Sequence, residues 1–398
     1  MKHYGDITKI DGSKVPPVDI IVGGSPCQDL STAGKREGLS GSRSGLFLEQ
    51  IRIIEEMRNE FTKQLRVRGA NVDIRHIKPR WMVWENVCGA LSSSGGEDFY
   101  TVLEKTARVA DKAAVIPRFK GKWHNSGCIL GDGWSIAWRV HDAQFWGVPQ
   151  RRKRVALVAD FGGDTAPKIL FDSESVSRNF EESGTPRKRP PETIKGGSNT
   201  TSYTLKIRGG VAIDSKGKKA GKGALIQTEL SGTLGATQDQ TLFKFDKPPL
   251  YTIGHDLRAS QFTEDEKTDP LTATDYKDPI KLNIGSVVRR LTPLECERLQ
   301  GYPDGWTDIG DWVDSKGKKH RDSDSPRYKA IGNSIALPFW EWMAHKMVNQ
   351  IDPPATMASL FDGIGGFPLV FSRCGVDPVW ASEVEEFPIA VTKKRFPE

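Results

Sequence analysis

Uninterrupted apolar runs mark three places along the chain, at 18–22, 81–84 and 155–159, each followed by polar or glycine-containing residues. Runs without polar alternation are typical of strands buried on both faces, so all three are read as strands of one parallel sheet. Between the first two, Leu46, Ile51, Ile54, Met57 and Phe61 recur at helical spacing among charged residues, which predicts an amphipathic helix over 45–61 covering that sheet. Helical character returns at 291–299 and at 339–348, and Asp352-Pro353-Pro354 ends the latter helix. The last stretch reads as a strand at 358–361 running into Asp362-Gly363-Ile364-Gly365-Gly366, a helix from Phe367, and a strand at 379–382 that ends at Glu383. Strands that alternate with helices in this way predict an α/β fold.

The pattern changes from Thr165 to Lys281, where Gly, Thr, Ser, Lys and Pro dominate and short β-prone pieces stand at 202–207 and 250–253. This predicts a separate, irregular, β-rich domain. The expected division is a first catalytic part over 1–164, an inserted domain over 165–326 and a second catalytic part over 327–398. No internal repeat is evident.

Composition narrows the function classes only a little. With 398 residues the chain can bury a large core, and the five cysteines show neither a disulfide framework nor zinc spacing, which favours a reducing, intracellular setting. No apolar run can span a bilayer, and the polar first residues do not resemble a signal sequence, so a soluble protein without a membrane partner is expected. The net charge of +6 suits nucleic acid and many unrelated enzymes alike. Local charge is more informative, because ten Lys or Arg between Arg187 and Lys222 face only Glu192 and Asp214. A polyanion could bind there, although a solvated basic loop has the same composition.

Chemistry enters with residues at the ends of the predicted strands, where open α/β sheets bind ligands. Cys27 lies in Gly23-Gly24-Ser25-Pro26-Cys27-Gln28 after the first strand, and Glu85 ends the second, followed by Asn86, which could fix the loop. A cysteine thiolate there could act as a soft nucleophile. Glu85 could serve as the acid that neutralises the charge developing on attack. Arg152 and Arg154 could contact a base oxygen, a phosphate or Glu85 itself. Taken singly, these are commonly an inert cysteine, a helix cap and a solvated pair.

Together and in order they closely resemble the motifs of the cytosine-5 DNA methyltransferase family: Gly23-Gly24-Ser25-Pro26-Cys27-Gln28, Glu85-Asn86-Val87 and Gln150-Arg151-Arg152-Lys153-Arg154. The resemblance continues in Arg290-Leu291-Thr292-Pro293 with Glu295 and Arg298, in Leu299-Gln300-Gly301-Tyr302-Pro303, and in Gly332-Asn333-Ser334-Ile335-Ala336-Leu337-Pro338. It implies a Rossmann-like S-adenosylmethionine-dependent methyltransferase sheet with a smaller β-rich target-recognition domain. It implies methyl transfer to carbon 5 of a cytosine flipped out of a specific duplex sequence, with Cys27, Glu85, Arg152 and Arg154 catalytic. The expected cofactor residues are Phe361, Gly363, Gly365 and Gly366 around S-adenosylmethionine, Glu383 on its ribose and Asp6 on its adenine. Ile7, Pro26 and Leu46 line the same pocket, and Asn333 and Ser334 help to close it. Gln28, Ser31, Arg43, Lys216, Lys218 and Lys219 are expected on DNA, and no metal is expected.

The motif order departs from the family's, because the glycine loop and Glu383 follow the Asn333-Ser334 segment instead of opening the chain. This predicts a circular permutation with an ancestral start at Met357. The family also has tRNA-modifying relatives, and degenerate relatives could serve as silent DNA-binding modules, but the long basic middle and the intact motifs favour DNA methylation. Family-level expectations are a monomer acting in a prokaryotic or phage-infected cytoplasm, with a cognate restriction endonuclease in the same system.

Overall fold

In the computed structural model, residues 1–25, 45–69, 72–119, 121–171 and 291–397 are described with their side chains, and between 201 and 290 only the backbone of six strands is described. The chain divides into two compact units, one formed by residues 1–141, 153–180 and 339–398 and the other by 142–152 and 181–338. Six strands come first: β1 (Lys2–His3), β2 (Ile20–Gly23), β3 (Trp81–Asn86), β4 (Ser126–Leu130), β5 (Ser135–Asp142) and β6 (Lys153–Asp160). Eight follow in the second unit: β7 (Ser202–Lys206), β8 (Val211–Ile213), β9 (Lys219–Gly221), β10 (Leu225–Thr228), β11 (Gln240–Lys244), β12 (Val288–Arg290), β13 (Trp312–Val313) and β14 (Lys319–His320). Strands β15 (Thr356–Leu360) and β16 (Asp377–Ser382) return to the first.

The first unit is built on one eight-stranded sheet in the order β1-β16-β15-β2-β3-β6-β5-β4. Its centre is apolar on both faces, with Ile20, Ile21, Val22, Met82, Val83, Trp84, Leu157 and Val158 fully buried, as a sheet covered by helices requires. Strands β1, β16, β15, β2 and β3 run parallel. Strand β6 is the exception to the all-parallel expectation, since it pairs antiparallel with β3 from Trp81↔Asp160 to Asn86↔Val155. A continuous apolar run reports burial on both faces and carries no signal of direction. Here Ala143 N donates to Arg152 O at 3.1 Å, closing a turn that sends β6 back from the end of β5.

Helix α1 (Leu46–Val67) buries Ile51, Ile54 and Met57 as its spacing predicts, leaves Leu46 and Phe61 partly exposed with Phe47 buried instead, and extends six residues beyond Phe61. Helix α2 (Glu97–Ala110) is absent from the expected elements although Phe99, Val102, Leu103 and Ala107 stand at helical spacing, and it buries them against the same core. Behind the sheet, Arg80 grips the fully buried Asp160 with two hydrogen bonds of 2.8 and 2.9 Å. The Asp160 carboxylate also accepts from Gly162 N and, at the start of helix α3 (Thr165–Leu170), from Thr165 N and Thr165 Oγ1. At the opposite edge of the sheet, Met1 N lies 3.3 Å from Phe396 O and donates to it.

In the second unit, β10, β7, β11 and β12 form an antiparallel sheet, and β8–β9 and β13–β14 are two-stranded hairpins. The predicted pieces at 202–207 and 291–299 correspond to β7 and helix α4 (Pro293–Gln300), whereas the piece at 250–253 lies outside the described residues. Thr292 and Glu295 cap α4 reciprocally and Gly301 ends it at φ +81°, a capping box followed by a left-handed stop. The fully buried Glu297 accepts from Gly305 N, Thr307 N and Thr307 Oγ1, with Arg327 Nη2 3.5 Å away.

Because removing one member of a buried pair strands the other, Asp160→Ala should lower the unfolding free energy by about 3–5 kcal/mol in a urea melt. Adding Arg80→Leu should recover part of that loss; equal stability of Asp160→Ala and the parent would contradict the role given to this pair.

Candidate active site

The parallel strands bring their carboxyl ends to one edge of the sheet, and the loops leaving β15, β16, β1, β2 and β3 gather there. The loop after β15 has Phe361 at φ +56°, Gly363 at +57° and Gly365 at +76°. For a phenylalanine that backbone costs roughly 1–2 kcal/mol, and such strain persists where the surroundings over-determine the loop. At Gly365 a Cβ would stand 2.9 Å from the Phe396 ring and 3.0 Å from Thr392, so a side chain does not fit. Gly363 N donates to Glu383 Oε2 at 2.7 Å, while Glu383 Oε1 accepts from Val384 N and Glu385 N. Asp362 N reaches Ser382 O, and Ser382 Oγ donates to Gly5 O at 2.7 Å. A single hydrogen-bonded chain therefore links Phe361–Gly366, Glu383 and Gly5-Asp6.

The Asp6 carboxylate accepts from Thr8 N and Thr8 Oγ1, which hold it below the usual carboxylate range. Ile7 is buried, and Leu46 packs against the core at the start of α1.

Asp362, which reads in the sequence as a mere spacer between Phe361 and Gly363, is the most unusual group of this loop. The residue is 5 % exposed, both carboxyl oxygens are buried, and neither has a hydrogen-bond partner among the described residues. Burial pushes it up to about 8, with the Glu383 carboxylate adding to the rise and the nearby Ser359 hydroxyl opposing it. The signal in the sequence is the acid itself, placed where a glycine loop meets a buried strand. Its folded pKa lies above its unfolded one, so its contribution is complete below about pH 4 and is lost as pH rises toward 8. Asp362→Asn should flatten that part of the profile of denaturant midpoint against pH; an unchanged slope between about pH 4 and 8 would remove this assignment.

The second cluster forms where β2 and β3 end. Glu85 Oε1 pairs with Arg154 Nε at 2.9 Å, and the two side chains are only 14 % and 17 % exposed. Gly24 lies against the same carboxylate, because a Cβ there would stand 3.1 Å from Glu85 Oε2. Ser25 is tied to β3 twice over: Trp84 Nε1 donates to Ser25 Oγ at 3.0 Å and Asn86 Nδ2 donates to both Ser25 O and Oγ. The start of the loop that carries Cys27 is thus pinned beside Glu85, with Asn86 as one of the pins. Pro26, Cys27, Gln28, Ser31 and Arg43 lie outside the described residues.

Arg152 has a different environment from Arg154. Within the second unit it is buried, with Nη2 donating to Gly332 O and Ser334 O and its own N–H to Asp142 Oδ1. Ser334 Oγ meets Tyr302 Oη, Gln300 Nε2 donates to Ile331 O, and Asn333 ends helix α5 (Asp324–Asn333). Lys216 and Lys218 lie outside the described residues, and of Lys219 only the backbone in β9 is described.

Comparison with known proteins covers the motifs that precede residue 350. A family model described as C-5 cytosine-specific DNA methylase matches residues 1–110 and 130–349. A DNA N-6-adenine-methyltransferase of Escherichia phage P1 is 29 % identical, over 88 % of this chain and 55 % of its own length. The type II methyltransferase M1.ScrFI of Lactococcus lactis subsp. cremoris is 27 % identical, over 88 % of this chain and 67 % of its own length. The chain therefore spans little more than half of the phage relative. Among solved structures, S. pombe Dnmt2 methyltransferase aligns at a TM-score of 0.39 and 13 % identity, over 87 % of this chain and 83 % of that one. On the extent of the family match, the chain belongs to the C-5 cytosine-specific DNA methylase family.

Proposed function

We propose that the chain methylates carbon 5 of cytosine in duplex DNA, with S-adenosylmethionine as methyl donor. The observation that carries this reading is the Glu85–Arg154 pair beside Ser25, on the same sheet edge as the Gly363–Glu383 cradle. The target base leaves the stack, because carbon 6 and a thiolate cannot meet inside a duplex. Cys27 Sγ adds to carbon 6 while Glu85 supplies a proton or hydrogen bond at nitrogen 3, so the ring electrons move to carbon 5. Arg154 holds the Glu85 carboxyl in place through the transfer. Loss of the carbon 5 proton and departure of Cys27 as thiolate restore the aromatic ring.

The donor fits the residues at the cradle. Glu383, fixed by three backbone N–H groups, suits a ribose diol, Asp6 suits an adenine amino group, and the buried Asp362 carboxyl, without a hydrogen-bond partner among the described residues, would ionise beside a cationic ligand. When bound, S-adenosylmethionine supplies an electrophilic methyl group. Arg152 acts as a positioning residue, since its hydrogen bonds fix the backbone of the Gly332–Ser334 turn. The second unit selects the sequence, as major-groove readers do.

We further propose that the motif order is circularly permuted. The family match ends at 349, yet β15 and β16 insert between β1 and β2 in the sheet. Asp19, just before β2, accepts from Thr356 N and Oγ1 and so ties the late strand to the early one. A chain opened before Met357, with Glu398 joined to Met1, should keep its thermal transition and methyl transfer; an unfolded product would refute the permutation.

Duplex DNA incubated with the protein and labelled S-adenosylmethionine should yield 5-methylcytosine in one short motif by bisulfite sequencing. Cys27→Ala should abolish the product, and Glu85→Gln should lower kcat by about 10²–10⁴-fold. Label in N6-methyladenine, or in tRNA alone, would overturn this reading.

A further inference from the structure

Contrary to the expectation from the sequence, an internal repeat does exist. Asp-Ser-Lys-Gly-Lys-Lys occurs at 214–219 and again, identical at all six positions, at 314–319. Each copy follows a β-branched residue, Ile213 or Val313, and each is enclosed by a two-stranded antiparallel hairpin. The registers match as well, with Ile213↔Lys219 in one and Val313↔Lys319 in the other. The same short sequence therefore connects two paired antiparallel strands twice within the second unit.

The 314–319 copy reveals what each residue type does. Gly317 takes φ +79°, and Gly317 N donates to Asp314 O while Asp314 N donates to Lys318 O. The Asp314 carboxylate is turned into the hairpin, where Oδ1 accepts from Lys316 N and Lys318 N and Oδ2 meets His320 Nε2 at 2.9 Å. Behind it, His320 stacks on Trp312 at 4.1 Å between ring centroids. The only acid of the hexapeptide is thus consumed by the turn. Lys316, Lys318 and Lys319 are exposed, and none of them has an ion pair among the described residues. A rigid turn presents three ammonium groups to solvent and keeps its own counter-charge inward.

We infer that the hairpin at 312–320 is a clamp for DNA phosphates, a site that rests on the DNA-methylating reading above. Lysine ammonium groups are flexible point charges that attract phosphate without reading bases. A repeated element suits a ligand whose charge repeats along its length, as the phosphodiester backbone does. A small anion would instead need donors that converge on one point, and these three side chains extend from an open turn.

Binding of the full chain to a fluorescent duplex of scrambled sequence, measured over a series of KCl concentrations, tests the assignment. The triple variant Lys316→Gln/Lys318→Gln/Lys319→Gln should flatten the plot of log affinity against log salt by about 0.9 for each phosphate that is no longer neutralised. Replacing the three lysines of 314–319 by arginine should retain the parent slope, which separates loss of charge from loss of fold. Parent-like slope and affinity in the Lys316/Lys318/Lys319 glutamine variant would overturn the clamp, while methyl transfer by the parent chain left the proposed function standing. A parent chain that methylates tRNA and not duplex would overturn both.

Discussion

The arrangement depends on one ladder of parallel strands, in which β15, β2 and β3 pair although their residues come from opposite ends of the chain. Buried backbone N–H and C=O groups must be satisfied, and at this depth only neighbouring strands can do so. Once Met357 pairs with Ile20 and Ile20 with Trp81, the residues that end these strands are fixed on a common edge. Glu85, Ser25 and Phe361 owe their placement to that register, since a one-residue slip would turn each strand's side chains to the other face.

Around this ladder the loops are held by polar groups that would be costly to leave alone. Trp84 and Asn86 use their N–H groups to hold Ser25, and Glu383 commits its carboxylate to the backbone donor of Gly363 in the neighbouring loop and to those of Val384 and Glu385 in its own. A charged acceptor satisfied in this way forms strong bonds of fixed direction, which keeps the loops in place before any ligand arrives. Asp362 is the counterexample within the same loop, a buried carboxyl left without such donors.

The two arginines at the start of β6 show how far a motif can be read. Their spacing announces a basic pair near a strand, but Arg154 turns to Glu85 and Arg152 to the backbone of Gly332 and Ser334. Residues two apart along a strand project to the same face, so alternation alone gives no reason for them to part. Arg152 lies just outside β6, where that rule no longer applies. The segment 111–129 lies outside the family match yet is firmly attached: Ala114, Ile116 and Trp123 enter the core, and Trp123 Nε1 donates to Gly96 O. Nothing in its apolar pattern marks it, because its anchors are single residues separated by exposed ones.

By itself the sequence determined the strands β2, β3, β6, β15 and β16, though not the equally buried β5, together with the amphipathic face of α1, the glycine loop that follows a buried strand, and the succession of motifs that carries the family. Those are properties of neighbouring residues, since burial period, capping and turn chemistry act over a few positions. Even the repeated hexapeptide was fully legible, and only a search at the scale of six residues would have met it. The reversed direction of β6, the partner of each arginine, the pinning of Ser25 and the isolation of Asp362 were decided by tertiary structure. Each depends on which distant segment fills the adjacent place in the sheet, and local pattern carries no information about that neighbour.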